Sequence, residues 1–156
     1  MAIEVKLTWT EITEGALVGV MRQVQNLIRG RTDKHGAEDE DPFAIHIRGA
    51  LGEMALAKHR NLYWGGAGIF RGDDVGPFQV RAADAAHKRL IVHPDDADEK
   101  AFVHITGRPP TLTLRGWLYG RDAKRQEWWE DPTRKGRPAY FVPNDRLLDI
   151  DTLAER

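Results

Sequence analysis

The 156-residue chain contains no cysteine and no serine. Lack of cysteine removes disulfides, thiolate nucleophiles and cysteine-built zinc sites, and it is compatible with a reducing cytoplasm. Lack of serine removes every serine nucleophile. No GxSxG, GxGxxG or GxxxxGK[ST] string occurs, so serine-hydrolase chemistry, dinucleotide binding and P-loop nucleotide hydrolysis have no support. No apolar run approaches the ~20 residues that span a bilayer, and Met1 to Trp9 carries no signal-peptide pattern, so no membrane association is expected. An excess of one charge is also missing. The 23 Lys and Arg nearly cancel the 24 Asp and Glu, which argues against a bulk polycationic nucleic-acid binder. The six histidines form no HExxH or equivalent pair, and His93 and His104 sit in strand patterns where a structural role is the ordinary one.

What is present describes a globular protein. Hydrophobic residues make up 41% of the chain, and a domain of this length buries roughly 68–70% of its extended-chain surface. Charge is uneven along it. Five acids lie between Arg31 and Pro42 against Arg31 and Lys34, whereas Arg115 to Arg137 holds seven bases against four acids. The basic stretch is either a solvated face or a local contact for phosphate.

Periodicity predicts a first helix over Thr10–Arg29. Ile12, Ala16, Val20, Val24, Leu27 and Ile28 recur at the spacing of one helical face, and Gly30 supplies a stop. The polar, acidic stretch Arg31–Asp41 reads as an exposed loop. Asp41-Pro42 reads as an N-cap with proline in the first turn of a second helix running to about His59. Ile47, Leu51, Met54 and Ala55 form its buried stripe, and His46, Gly49, Glu53 and Ala57 line a neighbouring face. Gly49 and Gly52 suggest close approach of another segment. Strands follow at Phe78–Ala82, Arg89–His93, Ala101–Thr106 and Thr111–Leu118. A short helix is expected over Arg121–Trp129, a last strand over Tyr140–Val142 and a closing segment over Leu147–Leu153. The expected fold class is α+β (mixed α/β): an N-terminal helical pair followed by a strand-rich body.

Candidate chemistry gathers at Glu53 on the second helix, Asp73 and Asp74 before the first of these strands, and Gln79 and Arg81 on it. Residues two apart in a strand project from one face, about 6–7 Å apart. The Gly76-Pro77 turn can bring Asp74 back toward that face. Glu53, Asp74 and the Gln79 amide oxygen are the hard oxygen donors that Mg²⁺ or Mn²⁺ takes, and a cation beside them would hold phosphate. The plainer alternative makes the two aspartates turn formers and Glu53 a solvated residue. Trp128 and Trp129 beside Lys124 and Arg125 are the best cluster for stacking on bases, with core packing as the alternative.

The ordered string Gly49-Ala50-Leu51-Gly52-Glu53, Asp74-Val75-Gly76 and Gln79-Val80-Arg81 resembles the PD-(D/E)XK nuclease superfamily, and within it a group of small phage and prophage proteins. Thr106-Gly107, Gly116-Trp117, Asp122-Ala123-Lys124, Trp128 and the run Arg137 to Pro143 extend the likeness over roughly 43–148. The resemblance implies a restriction-endonuclease-like core over 43–148 of a single domain, preceded over 1–42 by a helix and acidic loop. It also implies metal-dependent hydrolysis of DNA phosphodiester bonds in a bacterial cytoplasm. Glu53, Asp74 and Gln79 become ligands of Mg²⁺ or Mn²⁺, and Arg81 stands where the family has a lysine. Arginine stays protonated and cannot act as a base, but it binds phosphate. Arg121 and Lys124 are expected to follow the nucleic-acid backbone. The alternative is the same fold without turnover, binding nucleic acid or a host or phage protein.

Overall fold

The computed structural model describes residues 1–31, 40–66 and 73–154. Most of the loop expected over Arg31–Asp41 thus lies outside the described residues. The elements run in the order β1 (Ile3–Lys6), α1 (Trp9–Ile28), α2 (Pro42–Arg60), β2 (Phe78–Ala83), β3 (Leu90–Val92), β4 (Ala101–Arg108), β5 (Thr111–Tyr119), α3 (Gly120–Ala123), β6 (Trp129–Glu130) and β7 (Ala139–Val142). The fold is α+β. One sheet has the order β1-β5-β4-β2 and the other β3-β7-β6. β2 runs parallel to β4, and the other pairings are antiparallel. No helix among the described residues is long and apolar enough to cross a membrane.

The alternation read at Phe78–Ala82 is the one that builds β2: Phe78 and Val80 are buried, while Gln79 and Arg81 are half-buried on the opposite side. One core cluster joins this sheet to α2 through Leu51, Met54, Val80, Val103, Ile105 and Leu114. A second gathers Leu90, Phe102, Leu118, Trp128 and Val142 between the sheets. Trp128 is therefore a core residue, with the Arg125 guanidinium over its ring, 5.1 Å from the ring centre. The helix expected over Arg121–Trp129 is broken up. A single turn, α3, gives way to a 3₁₀ turn at Gln126–Trp128, because Trp128 must reach the second core. β1 was not expected from the sequence. Its four residues pair with β5, which lies more than a hundred positions away.

Local chemistry sets the helices. Thr8 and Glu11 form a reciprocal capping box at the start of α1, and Asp41 caps α2 through the Phe43 N–H. Asn61, in the left-handed region, ends α2. The face of α1 that packs is not the apolar one. Gly15, Gly19, Arg22 and Gln23 are buried against α2, whereas Val20, Val24, Leu27 and Ile28 remain exposed. Glycine at 15 and 19 lets the helices approach closely, and that approach selects the face. Of the two α2 glycines, Gly52 abuts Ala82 and Val80 as expected, while Gly49 faces open space.

A Cβ at Gly19 would lie 2.5 Å from Ile47 Cα and 2.6 Å from its backbone nitrogen. Backbone cannot rotate aside as a side chain does. Gly19→Ala gains about 1 kcal/mol of helix propensity but forces the helices apart, so a net loss of about 1–3 kcal/mol is expected. Urea denaturation checks this, and a stabilised variant would contradict the close packing.

Candidate functional site

Glu53 lies on the α2 face that meets α1, and it is buried, not solvated. Arg22 of α1 grips it in a bidentate pair, donating from Nη1 to Oε1 at 2.7 Å and from Nη2 to Oε2 at 2.8 Å. Trp64 Nε1 donates to Oε2 at 2.9 Å, and Arg22 Nη2 also donates to the Gly66 carbonyl at 3.0 Å. Burial opposes the Arg22 charge, yet the Glu53 hydrogen bond and the Glu53 and Asp74 charges outweigh it, and the guanidinium pKa moves up. Arg22 Nε is buried without a hydrogen-bond partner.

Asp74 arrives from the turn ahead of β2. Its N–H and that of Val75 donate to the Phe78 carbonyl at 3.0 and 3.2 Å. This brings the side chain back along the strand as the Gly76-Pro77 spacing suggested, and Oδ2 accepts the Val80 N–H at 2.7 Å. Burial pushes the Asp74 carboxyl up from its ordinary 3.8 to about 6, and the Glu53 charge pushes the same way. The Val80 hydrogen bond and the Arg81 and Arg22 charges pull it back only in part. The helix glutamate and the turn aspartate thus share one electrostatic environment, with a guanidinium on either side.

Gln79 and Arg81 leave the same face of β2 but find separate partners. Gln79 Nε2 donates to Asp73 Oδ1 at 2.7 Å, and Lys100 Nζ donates to Asp73 Oδ2 at 2.7 Å. Arg81 pairs with Asp96 Oδ1 at 2.9 Å, its guanidinium 4.9 Å from the centre of the Phe102 ring. Arg121 stacks on Tyr119 at 4.7 Å, and Lys124 donates to the Asp96 carbonyl and to Asp98 Oδ1, both at 2.6 Å. His104 is buried between the Arg81 and Lys88 carbonyls. Burial lowers its pKa, consistent with the structural role expected for it.

Among the described residues no group of three or more His, Cys, Asp and Glu side chains is arranged to hold a metal ion. Asp74 lies within the electrostatic influence of Glu53, each carboxylate having its own hydrogen-bond partners, and Gln79, the third donor expected from sequence, turns its amide nitrogen to Asp73. The donor chemistry of the pair still fits a hard divalent cation: oxygen only, both carboxylates, with the Asp74 pKa raised first by burial and then by the Glu53 charge. Arg22, Trp64, Asp96 and Lys100 were not read as site residues. For Arg22 a signal existed, since 15, 19 and 22 fall on one helical face with the two glycines. The partners of Gln79 and Arg81 come from distant loops, and no local pattern announces them. Compared with protein-family models, curated proteins and solved structures, the chain matches none.

Proposed function

We propose that the chain is a metal-dependent nuclease-like protein that hydrolyses DNA phosphodiester bonds, with Glu53, Asp74 and Gln79 as the ligands of Mg²⁺ or Mn²⁺. The observation that carries this reading is the half-buried Asp74 carboxylate held within the field of Glu53. Burial and the Glu53 charge both disfavour the Asp74 carboxylate, and a divalent cation beside it would offset both, as Arg22 and Arg81 do only in part. When bound, a divalent cation supplies charge neutralisation at phosphate and a more acidic coordinated water. The chain's own residues do the rest. Arg22 holds Glu53 in orientation, Val80 N–H fixes Asp74, and Gln79 joins by releasing Asp73. Arg81 binds the scissile phosphate as a permanent cation, and Arg121 and Lys124 add positive charge along the strand.

A second reading is a PD-(D/E)XK-like module without turnover that binds nucleic acid or a host protein. Arg22 on Glu53 and Arg81 on Asp96 favour it, because these charges are already answered within the chain.

Incubation with plasmid and single-stranded DNA in Mg²⁺ or Mn²⁺ separates the two. Cleavage that falls by about 10²-fold or more in both Glu53→Gln and Asp74→Asn, with each variant shown to be folded, is the result expected of the enzyme. Salt-sensitive DNA retention without cleavage by wild type would move the assignment to the module.

A further inference from the structure

The apolar stripe of α1 has no partner within the described residues. Leu17, Val20, Met21, Val24, Leu27 and Ile28 are between 37% and 79% exposed. They lie at steps of three and four along a helix whose opposite side, through Gly15, Gly19 and Arg22, is packed on α2. Leu17, Val20, Val24 and Leu27 alone make an alternating three-four-three ladder, the spacing that supports a two-helix seam. We infer that this stripe is a dimer interface, in which α1 packs antiparallel against α1 of a second copy of the chain.

Three observations select that occupant. The ladder is self-complementary when reversed: Leu17 then meets Leu27 of the other copy, and Val20 meets Val24, so the two ends of the pair are identical by a two-fold axis. The charge at the two ends of the stripe is opposite. Exposed Glu14 lies one turn before Leu17, whereas the chain leaves α1 beyond Leu27 through exposed Arg29 and Arg31, so reversal sets the acidic end of one stripe near the basic end of the other. A parallel pair would set like against like. Finally, the six residues together expose roughly 500–600 Å² per copy, at the upper end of the ordinary largest apolar patch of a monomer, so a pair that covered most of both stripes would bury on the order of 1,000 Å².

Sedimentation of the full chain tests the association, and its lack of cysteine makes the direction testable. Wild type at about 50 µM should sediment at twice the chain mass, and Val24→Glu, which places a charge in the seam of each copy, should weaken association at least tenfold while melting as wild type does. In the double variant Val20→Cys/Val24→Cys, oxidation should give a covalent dimer on a non-reducing gel in which residue 20 of one copy is joined to residue 24 of the other, read by peptide mass mapping of the isolated dimer. A monomeric wild type, a dimer indifferent to Val24→Glu, or linkage of 20 to 20 and 24 to 24 overturns the inference.

Discussion

Arg22→Leu is expected to lower the unfolding free energy by about 3–5 kcal/mol, because it leaves the Glu53 carboxylate buried with its charge uncompensated. Trp64 Nε1 remains as a donor, but one neutral hydrogen bond does not replace a bidentate guanidinium. The Gly66 carbonyl loses a donor in the same step. For a domain whose total stability is about 5–15 kcal/mol, this loss takes a large share. The pair itself need not stabilise the fold to that extent, since desolvating two charges offsets most of their attraction. Arg22→Leu combined with Glu53→Leu should therefore return to within about 1–2 kcal/mol of wild type. Urea unfolding of both variants measures this. If the single variant unfolds within about 1 kcal/mol of wild type, Glu53 is not held in the way the geometry describes.

Asp74→Asn is expected to do the opposite and stabilise the protein by roughly 2–3 kcal/mol near pH 7.5. The folded pKa of about 6 lies above the ordinary 3.8, so between those values the native state binds a proton that the unfolded chain has released. Stability arising from this group therefore increases as pH falls from about 6 to about 4. Above about 6 the folded protein carries the full cost of the half-buried charge. Asparagine removes that cost while its side-chain oxygen still accepts the Val80 N–H. The gain over wild type should shrink to near zero by pH 4, where Asp74 is protonated in the native state. Melting curves of the two proteins at both pH values decide it. An advantage for asparagine that does not change with pH would mean that packing, and not charge, separates them. Combined with lost cleavage, a more stable variant would mark a residue kept for chemistry at the expense of stability.

These residues also show where the sequence is transparent. Patterns set by neighbours were legible: the Asp41-Pro42 start of α2, the alternation of β2, and the turn that returns Asp74 to its strand. Glu53 does act electrostatically on Asp74, because α2 packs through Gly52 against Val80 and Ala82 of the strand that Asp74 is tied to. Features set by distant partners were not legible. β1 is too short to declare itself without β5, and the ties of Gln79 to Asp73 and Arg81 to Asp96 depend on how loops pass one another. The face of α1 was misleading for a definite reason. Apolar periodicity identifies a stripe that avoids water, but closeness of packing put the glycine side against α2 and left that stripe outward.

The turn that carries Asp74 has a consequence for the molecule in a crowded solution. β2 is an outer strand of its sheet, and an open strand edge is a template on which another extended chain can polymerise. Here the Phe78 N–H donates to the Val75 carbonyl at 2.9 Å, the Phe78 carbonyl accepts two N–H groups of the same turn, and the Val80 N–H is held by Asp74. The first outward-facing rungs of the strand are already taken by the chain itself. Asp74 therefore shields the sheet from strand addition as well as supplying charge. Removing its side-chain oxygens altogether, as alanine does and asparagine does not, unlatches that rung and exposes it to intermolecular pairing.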